Sequence, residues 1–206
     1  MKIIKLNFPY EQTRHWIPLV INNVNKIIVH EIEKETAEPE EINRWHLTEN
    51  KWEGGFGYGE YIRKNGTVCI GRDMNMGSHC QGHNANSYGI ACEGNYDIEK
   101  TMPTAQKQAL VERIIYNMVR FPKVTNILPH NYFNKFKTCP GIYFPMSEIL
   151  KMVEQNKSNE DKNYKSNVDL VAGILKLTSP EYWYNHQDKF VKILITKMAE
   201  KLRSLH

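Results

Sequence analysis

Three residues whose side chains bind transition metals stand at the ends of predicted apolar segments or in the loops beside them. His130 and Cys139 lie nine positions apart, in a stretch that also holds Lys137. One hundred residues before His130, the apolar run 27–29 ends in His30. Because imidazole and thiolate are good zinc ligands, these residues are candidates for one zinc site. Three protein ligands leave a tetrahedral position open, which is the catalytic pattern, whereas a structural zinc normally has four protein ligands.

Such a site would have the chemistry needed to hydrolyse an amide. Bound zinc can lower the pKa of its water to roughly 7 and can polarise a carbonyl group. A lysine near the metal, such as Lys137, could hold the negative charge that develops on the carbonyl oxygen. Each residue also has an ordinary interpretation, since His30 could be a packing residue at a strand end, His130 a loop histidine, Cys139 a buried thiol and Lys137 a surface lysine.

The composition is that of a globular protein and argues against several classes of function. The chain has 206 residues, of which 41% are hydrophobic, so it is long enough to bury a full core. Its formal net charge is +4, and basic residues are interleaved with acidic ones, which disfavours a nucleic-acid surface. No apolar run approaches the length of a membrane span. The four cysteines are widely spaced without a C-x-x-C pair, which favours free thiols over a disulfide framework.

The first nine residues form too short and too interrupted an apolar segment for a signal peptide. We therefore expect synthesis in the cytoplasm, with any external target reached after release or by another export route. The mild positive charge would favour contact with an anionic polymer such as a cell wall.

The spacing of apolar residues predicts strands separated by helices. Residues 27–30 and 88–93 are typical of buried strands, and 126–128 of a short strand or turn. Asn65-Gly66 between two apolar segments predicts a β-hairpin. Helices are expected to begin at three prolines, Pro39, Pro103 and Pro145. The predicted fold class is therefore α/β, with a mixed central β-sheet flanked by helices.

The chain divides into a larger part and a small appendage. We predict a catalytic domain over residues 1–154, a polar linker over 155–167, where one residue is apolar, and a small all-helical module over 168–206. Short helices are expected at 168–177, 179–186 and 189–205. Forty residues provide little core, so this module should pack on the main domain, on a second copy of itself or on a partner.

Nine segments of the chain, in order, resemble the amidase-2 family of peptidoglycan amidases, which includes phage-type lysins and peptidoglycan-recognition proteins. These segments are residues 27–30, 45–46, 57–58, 63–68, 77–79, 82–84, 87–90, 93–96 and 129–141. Any one of them alone would be a weak signal, but their common order is specific. The resemblance implies a zinc N-acetylmuramoyl-L-alanine amidase, which cuts the amide between the lactyl group of N-acetylmuramic acid and L-alanine.

The resemblance assigns the metal ligands to His30, His130 and Cys139, and places Tyr58 and Lys137 at the catalytic tyrosine and lysine of lysin-type members. We assign Tyr58, with its pKa lowered by a neighbouring cation, to the water and Lys137 to the oxyanion, although the reverse assignment fits the same sequence.

Two residues depart from the family pattern. Glu31 follows the first ligand where many relatives have a second histidine or a small polar residue, so its role is open. Ala91 stands where cytosolic recycling amidases carry a catalytic glutamate, which favours the tyrosine-using lysin type.

The polar loop around residues 77–87 is the predicted substrate contact. It holds His79, His83 and Asn84, which could bind a sugar or peptide of bacterial peptidoglycan. The helical module would target the wall or form a homodimer. Two alternatives stay open: a recognition module that binds muropeptide without cutting it, and a structural zinc site completed by Glu31 or His79.

Overall fold

The structure is a computed structural model that describes residues 1–175, Pro180, Tyr184 and 189–204. A mixed β-sheet of six strands forms the centre of the compact unit Met1–Val153. The strands are β1 (Ile3–Lys5), β2 (Lys26–Glu31), β3 (Glu60–Ile62), β4 (Val68–Ile70), β5 (Ser87–Cys92) and β6 (Asn126–Pro129). Their order in the sheet is β1-β4-β3-β5-β2-β6. The hairpin β3–β4 is antiparallel, and the other neighbouring strands are parallel. The predicted mixed sheet and hairpin are confirmed.

Helices precede and follow the strands as the prolines predict. They are α1 (Tyr10–Thr13), α2 (Pro39–Thr48), α3 (Thr104–Arg120), α4 (Met146–Leu175) and the helix Lys189–Arg203, and short 3₁₀ turns cover Ile21–Asn23, Asn84–Asn86 and His130–Tyr132. The chain divides into two compact units, Met1–Val153 and Glu154–His206. Among the described residues, no helix is both long enough and apolar enough to cross a membrane.

The two faces of the sheet bury different sets of side chains. Val29 of β2 belongs to the larger apolar cluster, which includes Leu110 and Ile114 of α3. A smaller cluster on the other face contains Ile42 of α2 and Ala91 of β5. Because successive side chains of a strand point to opposite faces, His30 lies on the α2 face, next to Val29 in sequence but across the sheet from it.

The α3 face also buries a set of polar groups. Arg113 of α3 donates to both carboxylate oxygens of Glu60 on β3, and each N···O distance is 2.7 Å. Asn117 donates to the same carboxylate at 2.8 Å, and Tyr88 of β5 donates to it at 3.2 Å. Glu60 is fully buried, and four hydrogen bonds satisfy its charge.

The prediction of a linker over residues 155–167 was wrong, because this stretch lies within α4. It has neither proline nor glycine, so its polar residues can continue a helix. Tyr164, Val168 and Val171 follow one another at helical spacing and pack with Ile195 and Ala199 of the helix Lys189–Arg203. The second unit thus has a small apolar cluster of its own.

The expected helix at 168–177 is the last part of α4 up to Leu175, and the helix expected at 189–205 is observed as Lys189–Arg203. The helix expected at 179–186 lies outside the described residues, except for Pro180 and Tyr184.

Candidate active site

Two neighbouring parallel strands bring His30 and His130 together. In the pairing of β2 with β6, Val29 lies opposite Pro129, so the next residue of each strand reaches the same edge of the sheet. The imidazole rings of His30 and His130 have their centroids 4.5 Å apart. The carboxyl ends of parallel strands are a common place for a site, because side chains from several strands converge there.

The loop after His130 returns Cys139 to the same edge. The backbone N–H of Asn131 donates to the carbonyl oxygen of Cys139 at 2.8 Å, and the Asn131 amide donates to the carbonyl of Thr138 at 3.1 Å, which fixes the returning segment. The Cys139 Sγ atom lies 3.8 Å from Nδ1 of His30. The donor atoms of His30, His130 and Cys139 all lie within 4.8 Å of one another.

This group suits a metal cation in its chemistry as well as its spacing. Burial, with the neighbouring His79 and His130, holds the pKa of His30 well below its ordinary value. Burial and the charge of Lys137 lower the pKa of His130 to about 4. Both imidazoles are therefore neutral near pH 7 and keep a lone pair for a metal. Burial raises the pKa of the Cys139 thiol to about 12, so a bound cation would have to displace its proton.

The two candidates for a fourth protein ligand lie outside the group with metal-binding spacing, and among the described residues Oε1 of Glu31 is buried without a hydrogen-bond partner. One carboxylate oxygen of Glu31 accepts the backbone N–H of Tyr96, and the ring nitrogens of His79 face His30 and Ser87. In the described part of the chain, the group of histidine, cysteine and acidic residues with metal-binding spacing comprises His30, His130 and Cys139. Two imidazoles and one thiolate match the donor set of a zinc site with an open position.

Tyr58 lies beside these residues. Its ring centroid is 5.3 Å from that of His30 and 5.4 Å from that of His46. Burial raises the pKa of Tyr58 above its ordinary value, and the nearby Cys139 raises it further. In the metal-free protein this pKa is therefore raised rather than lowered, contrary to the expectation, and the phenol keeps its proton near pH 7.

Lys137 stands at the exposed side of the same cleft. Its positive charge lowers the pKa of both His30 and His130, which means that its field reaches the two imidazoles. A charge in this position can act on a ligand in the cleft while its own ammonium group stays hydrated.

The cleft has a volume of about 880 Å³, and its floor includes the three metal-binding candidates. Of the residues predicted to contact substrate, His79 and Asn84 line it. The Asn84 side-chain oxygen accepts the backbone N–H groups of His79 and Cys80, which shapes the loop. His83 packs its ring against Phe133, with centroids 4.3 Å apart.

Several residues of the cleft were missed by sequence reasoning, which interpreted His46 as helix packing. His46 is buried, accepts the backbone N–H of Gly57 through Nδ1 at 3.0 Å, and stacks near Trp52 with a centroid distance of 4.7 Å. Asn50 and Trp52 also line the cleft. The pair Trp45-His46 was the available signal, but helical spacing alone does not show which face of a helix borders a cleft.

Comparison with known sequences gives a family match over most of the first unit. Residues 21–142 match the amidase-2 family model, described as N-acetylmuramoyl-L-alanine amidase. The endolysin of Klebsiella phage KP32 is 34% identical over 106 residues, which cover 49% of this chain and 68% of that protein. The endolysin of Escherichia phage T7 is 35% identical over the same coverage.

Comparison with solved structures agrees. The N-acetylmuramoyl-L-alanine amidase LysC from Clostridium intestinale URNW is 32% identical with a TM-score of 0.65, over 75% of this chain and 98% of LysC. Drosophila PGRP-LB is 18% identical with a TM-score of 0.57, over 68% of this chain and 88% of that protein, and shares the fold.

Proposed function

The chain belongs to the amidase-2 family of N-acetylmuramoyl-L-alanine amidases, and from this premise we propose how it works as a zinc-dependent peptidoglycan hydrolase. It cleaves the amide between the lactyl group of N-acetylmuramic acid and L-alanine in bacterial peptidoglycan, as an endolysin does. His30, His130 and Cys139 would hold the zinc ion. The observation that carries this proposal is the meeting of their donor atoms within 4.8 Å on the floor of the cleft.

In the proposed mechanism, zinc bound here would be the Lewis acid that activates water near neutral pH and polarises the scissile carbonyl. Lys137 holds the negative charge that develops on the carbonyl oxygen, because its ammonium group lies at the open side of the cleft. Tyr58, which keeps its proton, orients the attacking water through its hydroxyl. The water oxygen bonds to the carbonyl carbon, the carbon–nitrogen bond breaks, and the protons of the water pass to the leaving nitrogen, so the products are a lactyl carboxylate and the free amino group of L-alanine.

The loop that carries His79, His83 and Asn84 forms one wall of the proposed substrate site. His79 and Asn84 line the cleft, and the ring of His83 braces Phe133, which lines it as well. We propose that the peptide or sugar next to the scissile bond lies against this wall. The hydrogen bonds of Asn84 to the loop backbone favour a shaping role for that residue.

The experiment that tests the function is mass spectrometry of cell walls digested by the zinc-loaded full chain. The expected products are stem peptides with a free L-alanine amino group and glycan strands with intact sugar linkages. New reducing sugar ends in place of free amino groups would contradict the proposal. A protein that holds zinc but releases neither product from several wall types would support the alternative, a module that binds muropeptide without cutting it.

We also propose that the unit Glu154–His206 targets the wall or forms a homodimer. Its helices bury a small cluster of their own, and Leu194 is 47% exposed on the helix Lys189–Arg203. Light scattering of the full chain separates the two roles. A dimer that becomes a monomer in Leu194→Glu supports self-association, whereas a monomer that binds purified walls supports targeting, including contact with anionic wall polymers.

A further inference from the structure

A chain of hydrogen bonds leads from the candidate ligand His30 to a backbone carbonyl. Nε2 of His30 lies 2.9 Å from Nδ1 of His79. Nε2 of His79 lies 3.4 Å from the hydroxyl oxygen of Ser87, the longest link of the chain. The Ser87 hydroxyl donates to the carbonyl oxygen of His83 at 2.7 Å. His30, His79 and Ser87 are all buried.

The carbonyl at the far end sets the direction of every bond, because a carbonyl can only accept. The single hydroxyl hydrogen of Ser87 is used on His83, so Ser87 can only accept from His79. Nε2 of His79 must therefore carry the ring hydrogen, and in a neutral imidazole Nδ1 is then an acceptor. His30 must donate to it through Nε2, which leaves Nδ1 of His30 without a hydrogen.

The lone pair freed in this way faces the metal site. Nδ1 of His30 is the atom that lies 3.8 Å from Cys139 Sγ. The rings of His30 and His79 meet nearly at a right angle, with an interplanar angle of 88° and a centroid distance of 5.0 Å. In this arrangement the two ring nitrogens of His30 differ in role, because Nε2 donates a hydrogen bond to His79 and Nδ1 is available to a cation.

The packing around His79 is built for this ring. A Cβ atom on Gly89 of β5 would lie 2.6 Å from the His79 ring, and one on Gly77 would lie 2.4 Å from it. Any side chain at either position would therefore push the imidazole out of place. Two glycines leave the space that the ring fills, and the exposed fraction of His79 is 7%.

We propose that His79 is a positioning residue that fixes the tautomer of His30 and presents Nδ1 of that ligand to the metal. This inference rests on the proposed function, because it takes His30 as a zinc ligand. It also gives His79 a task other than the predicted contact with substrate. Outer hydrogen-bond partners of ligating histidines typically change metal affinity by about 10- to 100-fold.

A matched pair of variants tests this role, because leucine and asparagine have similar shapes. His79→Asn keeps an acceptor oxygen near the position of Nδ1, whereas His79→Leu removes it. Zinc affinity of the full chain is measured by competition with a chromophoric chelator, and thermal unfolding of the metal-free proteins reports their folding. We expect a loss of zinc affinity of about 10- to 100-fold in His79→Leu and its recovery, in large part, in His79→Asn. Equal affinity in the wild type and His79→Leu would overturn the inference.

A second measurement needs no variant at position 79. Long-range ¹H–¹⁵N correlation spectra of the metal-free wild type show which ring nitrogen of each histidine carries the hydrogen, with His30→Gln used for assignment. Hydrogen on Nε2 of His30 supports the inference, and hydrogen on Nδ1 overturns it. The two possible failures are distinguishable: a wild type that binds no zinc overturns the proposed function, whereas zinc binding that is indifferent to His79 overturns the positioning role alone.

Discussion

The two faces of the central sheet bury polar side chains in opposite ways. On the α3 face, the Glu60 carboxylate accepts hydrogen bonds from Arg113, Asn117 and Tyr88, so charge and hydrogen-bonding capacity are matched within the protein. On the α2 face, the donor atoms of His30, His130 and Cys139 face one another within 4.8 Å.

The difference shows how to tell a structural polar cluster from a functional one. A buried charge is tolerated when it is paired and hydrogen-bonded, which is the state of Glu60. Three groups that can offer lone pairs to one point instead form a place for a cation. The Glu60 cluster should therefore determine stability, and the His30 cluster should determine zinc binding and catalysis.

The largest expected effect is that of Cys139→Ser on turnover. Removal of a ligand should reduce zinc affinity by more than the roughly 100-fold that outer-shell changes reach, and amide cleavage should fall below detection. Zinc content and release of L-alanine amino groups from cell walls measure both. Full activity of this variant would remove Cys139 from the site. Retained wall binding without turnover, in both the variant and the wild type, would favour a recognition module.

The matching test on the other face is Arg113→Met. It leaves the Glu60 carboxylate buried without its cation, so the free energy of unfolding should fall by about 3–5 kcal/mol in urea titrations. The double variant Glu60→Leu/Arg113→Met removes both charges and should recover much of that loss. Zinc affinity of the folded protein should not change in either variant. A change in affinity comparable to that of Cys139→Ser would contradict the division between the two faces.

Lys137→Met should reduce kcat by about 100- to 1,000-fold, the range found when one oxyanion-stabilising donor is removed. Lys135→Met is the matched control, because Lys135 is an exposed lysine two positions away in the same loop. The control should keep wild-type kcat on purified walls. Equal losses in the two variants would indicate a general charge effect on wall binding.

Tyr58→Phe tests whether the hydroxyl of this residue acts in the reaction. If the hydroxyl orients the water, kcat should fall by about 10²- to 10⁴-fold, the usual range for positioned proton-transfer groups, while zinc affinity stays near that of the wild type. Single-turnover kinetics with a soluble muropeptide measure the chemical step directly. An unchanged rate would exclude any role of this hydroxyl in the reaction.

The smallest expected effect concerns acid stability. Burial lowers the pKa of His46 to about 4, below the ordinary value near 6.5. In the pH range between these two values, the unfolded chain therefore binds a proton more readily than the folded protein does. Stability is therefore lost as the pH falls through this window, by about 2 kcal/mol at pH 5 relative to pH 7. His46→Gln should have a flatter profile in urea unfolding of the metal-free protein. An identical slope in variant and wild type would show that His46 titrates normally.

The sequence predicted the residues of the site better than their arrangement. The apolar runs located strands, the Asn-Gly pair located the hairpin, and the prolines located the helix starts. The family resemblance supported the choice of metal ligands. The register that sets Val29 against Pro129, and with it His30 beside His130, depends on pairing between distant strands and leaves no local signal. The same limit applies to the ion pair of Glu60 and Arg113, because it forms only when β3 and α3 pack together.

Composition alone misled at the start of the second unit. Residues 155–167 are polar enough for a linker, but Tyr164 continues at helical spacing to Val168 and Val171 beyond that window. If the sequence is divided where its composition changes, Tyr164 is separated from Val168 and Val171, and their helical spacing is not recognised. The pKa of Tyr58 was misjudged for a related reason, since the burial that raises it comes from the packing of several distant segments.

The central claim is that two imidazoles and one thiolate hold a zinc ion with one position open. X-ray absorption at the zinc edge of the loaded full chain tests it most directly. The account predicts one sulfur at about 2.3 Å, two imidazole nitrogens at about 2.0–2.1 Å and one further light atom that is not from the protein. A first shell with no sulfur, with two sulfurs, or with a third imidazole would contradict it.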